Sequence, residues 1–137
     1  VNAATGSVVA REEGFRAAFE GSKFQILETQ YGEGDAAKSK DIAANYITQG
    51  VVGIFGANEG STVGTGNAIK ESGGKVIGIG FDKSDTILSL MLAAMAQNPY
   101  VMGYEGIKTA AKALAGETTG PDYMDTGVSV IKQGDIK

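Results

Sequence analysis

The chain has 137 residues, with twelve Lys and Arg against sixteen Asp and Glu, and it contains neither histidine nor cysteine. Its length fits one domain of ordinary size with one core. A formal charge of −4 with no basic run argues against a nucleic-acid partner, and the missing His and Cys exclude disulfides, thiol nucleophiles and the usual zinc sites.

No apolar stretch reaches the ~18 residues of a membrane span, and no signal peptide is visible. The chain opens at Val1-Asn2-Ala3 without Met, which predicts a processed chain or an excerpt of a longer one.

In chain order, Ser7 can cap a first helix whose buried side reads Val8, Phe15, Ala18 and Phe19, with Arg11, Glu12 and Arg16 elsewhere on it; Gly21 can end it. "FQILE", 24–28, reads as a strand. Asp35 can start a second helix with Ala36, Ala43, Tyr46 and Ile47 near one face. "VVGIFG", 51–56, is a buried-strand run. A third helix follows over 60–72 and is closed by Gly73-Gly74. "KVIGIGF", 75–81, is another apolar strand, 84–90 are helical, and "LAAMAQ", 92–97, is a short strand. Pro99 opens a long helix to about Leu114, and "GVSVIKQ", 127–133, is the last strand. The polar stretch 116–126 is the best linker.

Strands alternating with helices predict βαβ units. The strand runs are apolar throughout, as in a sheet covered on both faces. The expected fold is therefore α/β, a doubly wound parallel sheet flanked by helices. Two connections look short. "ITQGVVG", 47–53, lacks a Pro/Asp turn, and "ILSLMLAAMAQ", 87–97, must pass from helix to strand with Ser89 as its only turn residue. Both read as if surface turns were missing, most sharply at Leu90–Met91.

In an open parallel sheet, ligands bind beyond the carboxyl ends of the strands. Asn58 follows the strand 51–56, Asp82 follows 75–81, Gln97 ends the strand 92–96, and Arg11 lies near the start of the first helix. Amide, carboxylate and guanidinium are planar groups that make two hydrogen bonds at once, which suits the vicinal hydroxyls of a sugar. Each residue also has a plainer reading. Asn58 and Asp82 can serve as helix caps, Arg11 as a solvated charge and Gln97 as a polar turn. "GANEGSTVGTG" is Gly-rich but lacks the ending of a phosphate loop, and "GIGFD" is not a dinucleotide fingerprint. No nucleophile–base pair or carboxylate pair is picked out for catalysis.

The segments "REEGFRAAF", "FGANEGSTVG", "VIGIGFD" and "AAMAQNPYVMGYEGI" resemble, in order, the type 1 periplasmic sugar-binding proteins of the ribose-binding kind. These are the solute receptors of ABC importers. The resemblance covers nearly the whole chain but only the family's C-terminal lobe. It implies pocket residues at Arg11, Asn58, Asp82 and Gln97, a monosaccharide ligand, no cofactor, no metal and no reaction. It also implies a lobe over residues 1–97, a hinge crossing and helix over 98–126 that pack on an N-terminal lobe, and a returning strand and tail over 127–137. Implied partners are that second lobe and an ABC permease, with no nucleic acid. If the lobe is isolated, a homodimer or exchange of the helical segment is expected instead. The implied location is periplasmic, or extracellular on a membrane-anchored lipoprotein. The sequence departs from the family at Gly34, where ribose-binding relatives carry an aromatic, which leaves the stacking platform to the other lobe or to Tyr31. The alternatives are the effector-binding domain of a LacI-type repressor and, less well supported, a sugar or nucleotide enzyme on a similar sheet.

Overall fold

The computed structural model describes residues 3–117, 119–121, 124–132 and 135. The elements run α1 (Gly6–Ala18), α2 (Ala36–Thr48), β1 (Gly53–Gly56), α3 (Glu59–Glu71), β2 (Ile77–Phe81), α4 (Asp85–Leu90), β3 (Ala93–Gln97), α5 (Pro99–Leu114) and β4 (Val128–Lys132). One four-stranded sheet has the order β1-β2-β3-β4. The first three strands are parallel, joined by α3 and α4, but β4 pairs antiparallel with β3. The sheet is thus mixed, not wholly parallel, because β4 returns along the sheet's far edge from the end of α5. Residue 133 of the expected last strand lies outside the described residues.

The two faces of the sheet differ in side-chain size. Phe55 pairs with Ile79, and Phe81 with Met95, so these residues share one face. There α1 packs, with Phe15 stacked on Phe55 at 4.8 Å between ring centroids. The opposite face presents Gly56, Gly78, Gly80, Ala94 and Ala96, and α3 lies close against it. A Cβ on Gly56 would stand 2.6 Å from the Thr62 Cα, and one on Gly80 would overlap the Thr62 side chain. On its other side α3 meets α2 as closely at Gly64, and Gly60 lies against the Gly34 backbone that leads into α2. The small buried core is Ile87, Met91 and Ala94, with Val63 and Leu90 packed on it.

Local signals explain most boundaries. Asp35 caps α2 by accepting from the Lys38 N–H at 2.7 Å, as expected. α1 instead begins after Thr5, whose side chain makes no capping bond, so Ser7 is inside the helix. Gly50, at φ 82°, closes α2 as a left-handed cap and makes the short connection to β1. At the other short connection the chain is continuous. The Met91 N–H bonds the Ile87 carbonyl at 3.0 Å and the Leu92 N–H bonds Gly78 at 2.9 Å. Buried Met91, in extended conformation, thereby turns helix into strand without a surface loop.

Residues 24–28 do not join the sheet as expected; Glu12 and Arg16, off the apolar side of α1, reach them instead. The Arg16 guanidinium donates to the Leu27 carbonyl at 3.3 Å and to the Thr29 hydroxyl at 2.7 Å. Glu12 accepts from Arg16 at 3.0 Å and from the Thr29 hydroxyl, and the Tyr46 hydroxyl donates to the Glu28 carbonyl. Side chains of α1 and α2 therefore hold the segment where a neighbouring strand would otherwise do so.

Burial opposes the charge on Glu12, yet the Thr29 hydroxyl and Arg16 outweigh it and keep the pKa below its ordinary 4.5. A depressed folded-state pKa adds stability that is present above the unfolded value and is lost as pH falls through the folded one. Glu12→Gln should therefore be less stable than the parent near neutral pH, and urea unfolding should show the difference shrinking below about pH 4.5.

Candidate functional site

The carboxyl ends of β1 and β2 lie side by side, with Phe55 opposite Ile79 and Gly56 opposite Gly80. Asn58 stands just beyond the first end and Asp82 just beyond the second. The Asn58 Oδ1 accepts from the Ser61 N–H at 2.9 Å, and the Ser61 hydroxyl accepts from the Asn58 N–H at 3.0 Å, a reciprocal capping box. That bond engages only the carbonyl oxygen of the amide. Its Nδ2 lies on the side of Gly34, 3.8 Å from where a Cβ there would sit. Gly34 has φ 81°, which a bulky L residue resists, so glycine at this family departure is dictated by the backbone.

Asp82 also has a left-handed backbone, φ 73°. Asp tolerates that region better than most residues, and such conformations concentrate where a chain is over-determined by its surroundings. Here the Asp82 N–H is tied to the Met95 carbonyl at 2.9 Å. Arg11 reaches across both strand ends from α1. Its Nη1 donates to the Ala57 carbonyl at 2.9 Å, and its guanidinium carbon lies 3.9 Å from the centroid of the Phe81 ring. Ala57 precedes Asn58 and Phe81 precedes Asp82, so one guanidinium bridges the roots of the two loops.

The structure therefore brings Arg11, Asn58 and Asp82 to one edge. Gln97 stands at the end of β3, two residues past the Met95 that bonds Asp82, and its residue is exposed. It lies on the same carboxyl edge, opposite Val128 of β4. Tyr31 is 43% exposed.

Sequence reasoning misses Phe81 and Thr62. Nothing in "GIGFD" says that the Phe ring will carry a cation. Thr62 is 0% exposed. Its hydroxyl accepts from the Phe81 N–H at 3.0 Å and lies 2.7 Å from the Asn58 carbonyl and 3.1 Å from that of Gly56. The readable signal was the Gly56 and Gly80 pair, which marks a close approach on that face. Among the described residues no group of three or more carboxylates is placed to hold a metal ion.

Residues 2–118 match the family described as periplasmic binding protein domain. The chain is 33% identical to the ribose import binding protein RbsB of Haemophilus influenzae, over 84% of this chain and 42% of that protein. It is 30% identical to RbsB of Escherichia coli K12, over 96% and 47%. A carbohydrate transporter solute-binding protein of Agrobacterium radiobacter, solved with D-arabinose, superposes with a TM-score of 0.89 at 31% identity, over 98% of this chain and 49% of that one. An ABC transporter solute-binding protein of Agrobacterium vitis, solved with D-fucose, gives 0.86 at 31% identity, over 93% and 47%. The chain thus spans about half the length of the relatives it matches.

Thr62→Val keeps the side chain's outline and removes its hydroxyl, leaving the partly buried Phe81 N–H without that acceptor. We expect a loss of about 1–3 kcal/mol in urea unfolding.

Proposed function

The chain belongs to the periplasmic binding protein domain family, and from that premise we propose that it forms one lobe of a monosaccharide receptor serving an ABC importer. The observation that carries this reading is the placement of a guanidinium, an amide and a carboxylate at the adjoining ends of β1 and β2, with Arg11 fastened to both ends. Asp82 accepts from two sugar hydroxyls, Arg11 offers the N–H groups its bond to Ala57 leaves over, and Asn58 offers its Nδ2. Gln97 adds a further amide from the β3 end. The sugars in the solved relatives, D-arabinose and D-fucose, are ligands of that chemical class.

The rest of the receptor follows from what this half cannot do. One edge of one sheet leaves a small ligand half in solvent, so a second lobe closes over it about a hinge. In this proposal the lobe comprises residues 1–97, α5 lies against the other lobe, and the closed form is what a membrane permease recognises. α5 supports that assignment: it carries no buried residue, and Ile107 and Leu114 are 75% and 91% exposed. Periplasmic or lipoprotein-anchored placement follows from the receptor role. The protein performs no reaction in this scheme and needs no cofactor. A repressor's effector domain would share the fold, whereas the relatives described above are transport receptors.

In the two-lobed protein, Asp82→Ala should weaken binding of the preferred pentose or hexose by about 2–4 kcal/mol, because it leaves ligand hydroxyls unpaired. Arg11→Lys should also weaken binding, since Lys lacks the planar fork. Calorimetry with a panel of both sugar classes checks this; unchanged affinity in the Asp82 variant would remove that residue from the site.

The isolated 137-residue chain should bind such a sugar only with a Kd of about 1 mM or weaker, near −4 kcal/mol. It should also self-associate through α5. Light scattering that finds a clean monomer at high concentration, with no second lobe present, would contradict the assignment of α5.

A further inference from the structure

The chain has five phenylalanines, and all of them stand in one line of ring contacts. Phe24 meets Phe19 edge-on at 5.8 Å between centroids, and Phe19 meets Phe15 at 5.0 Å. Phe15 stacks on Phe55 at 4.8 Å, and Phe55 meets Phe81 edge-on at 6.2 Å. The line then ends on a cation, because the Arg11 guanidinium carbon lies 3.9 Å from the centroid of the Phe81 ring. Arg11 and Phe15 are four residues apart on α1, so they project from the same side of that helix. The contacts therefore close on themselves. They run from Arg11 to Phe81, across the sheet face to Phe55, on to Phe15, and along one turn of α1 back to Arg11. A slide of α1 along the sheet would break the Phe15–Phe55 stack as it drew the guanidinium off its ring.

The base of the Phe81 ring is fixed independently of that circuit. Its own N–H is held by the Thr62 hydroxyl at 3.0 Å, and the N–H of the next residue, Asp82, by the Met95 carbonyl at 2.9 Å. Core packing alone does not account for a phenyl ring at this position. Phe81 is the last residue of β2 and is only half-buried. An aliphatic side chain would fill a similar volume, but it has no negative π face to hold a cation. A guanidinium, weakly hydrated and planar, suits such a face. The Ala57 carbonyl takes one of its N–H groups. Its other donors then belong to a fork whose turning is restricted from two directions.

We propose that Phe81 is a positioning residue for recognition. Through its π face, backed by Phe55, it orients Arg11 so that the donors left free by Ala57 address the oxygens of a sugar. Phe81 itself touches no ligand in this scheme; its effect on affinity passes through Arg11. The proposal rests on the receptor reading for its ligand. The ordering of Arg11 by the ring is a property of the chain without ligand and is measured separately.

The test is a double-mutant cycle in the two-lobed protein, read by calorimetry over a panel of pentoses and hexoses. Phe81→Leu should raise the Kd of the preferred sugar roughly 3- to 10-fold. Phe81→Tyr keeps the π face and should bind nearly as the parent does. In an Arg11→Gln background, Phe81→Leu should add no further loss. A merely structural role would weaken binding by the same factor in both backgrounds, and equal factors would overturn the proposal, as would unchanged affinity in Phe81→Leu. Should Phe81→Leu fail to fold, Phe81→Met, unbranched and equally without a π face, carries the same cycle. The second readout needs no ligand. The chain has arginine only at positions 11 and 16, so two Nε–H signals are expected in its NMR spectrum, and Arg11→Gln assigns them. Shielding by the ring should place the Arg11 signal upfield of the Arg16 signal, and Phe81→Leu should remove that displacement. An Arg11 signal at the free-arginine position in the parent would overturn the proposal. A parent that binds none of the sugars would overturn the receptor reading and the positioning role with it, whereas binding with equal factors in the cycle removes the positioning role alone.

Discussion

The carboxyl edge of the sheet depends on one buried hydroxyl. Thr62 Oγ1 receives the Phe81 N–H from β2 and reaches carbonyls on either side of the β1 end, at Gly56 and Asn58. It can do so only because Gly56 and Gly80 offer no Cβ where the side chain lies. A net hydrogen bond contributes about 0.5–1.5 kcal/mol, whereas an orphaned buried donor costs about 1–3. The second quantity explains why the arrangement is held so tightly: any shift of α3 along the glycine face strands the Phe81 N–H. Asn58 and Asp82 follow directly on the groups that Thr62 fixes, so their spacing is set from the helix α3 side.

Arg11 clamps the same two strand ends from the other face. Ordering a long side chain costs about 1.5–2 kcal/mol. A partly exposed cation–π contact returns about 0.5–1, and a hydrogen bond from a charged donor returns about 1.5–3. The balance favours an ordered guanidinium even without a ligand. Only one of its five N–H donors is spent on Ala57. The same interactions that fix Arg11 therefore leave its fork directed by the fold, and on the receptor reading the ligand need not supply that ordering free energy itself.

Much of this was legible in the sequence where a local rule decides it. Asp35 caps its helix, Pro99 opens α5, and the three parallel strands stand on the expected apolar runs. At Asn58 the cap and the ligand readings turn out to be compatible, because capping uses the oxygen of the amide and leaves its nitrogen. The misses come from non-local causes. Arg16 and Glu12 have no readable partner until Thr29 and Leu27 are known to lie beside them. "FQILE" has the composition of a strand, but pairing needs a neighbour, and composition says nothing about that. The reversal at Met91 was hidden because packing of a buried methionine, not a turn residue, makes it. The antiparallel sense of β4 depends on where a sixteen-residue helix ends, which no periodicity reports.

Two surfaces of this chain remain open to water, and they ask for different things. The exposed apolar residues of α5 need only apolar contact. Burying side chains such as Ile107 and Leu114 is worth roughly 1.5–3 kcal/mol each, wherever the cover comes from. The cavity of about 590 Å³ between β1 and residues 24–30 is more exacting, because the β1 edge carries backbone N–H and C=O groups that β2 does not pair, and an apolar surface alone would leave them unpaired at a cost comparable to what it gained. An apolar body can satisfy the first surface, whereas the second also needs hydrogen-bond partners. The carboxyl edge lies between these demands. Arg11 and the Asn58 amide are held by contacts within the described residues, so the edge's geometry depends on Thr62 and Arg11 and not on whatever covers α5. On the receptor reading, recognition groups and closing surface are thereby separated in the fold, and a hinge can move the second without disturbing the first.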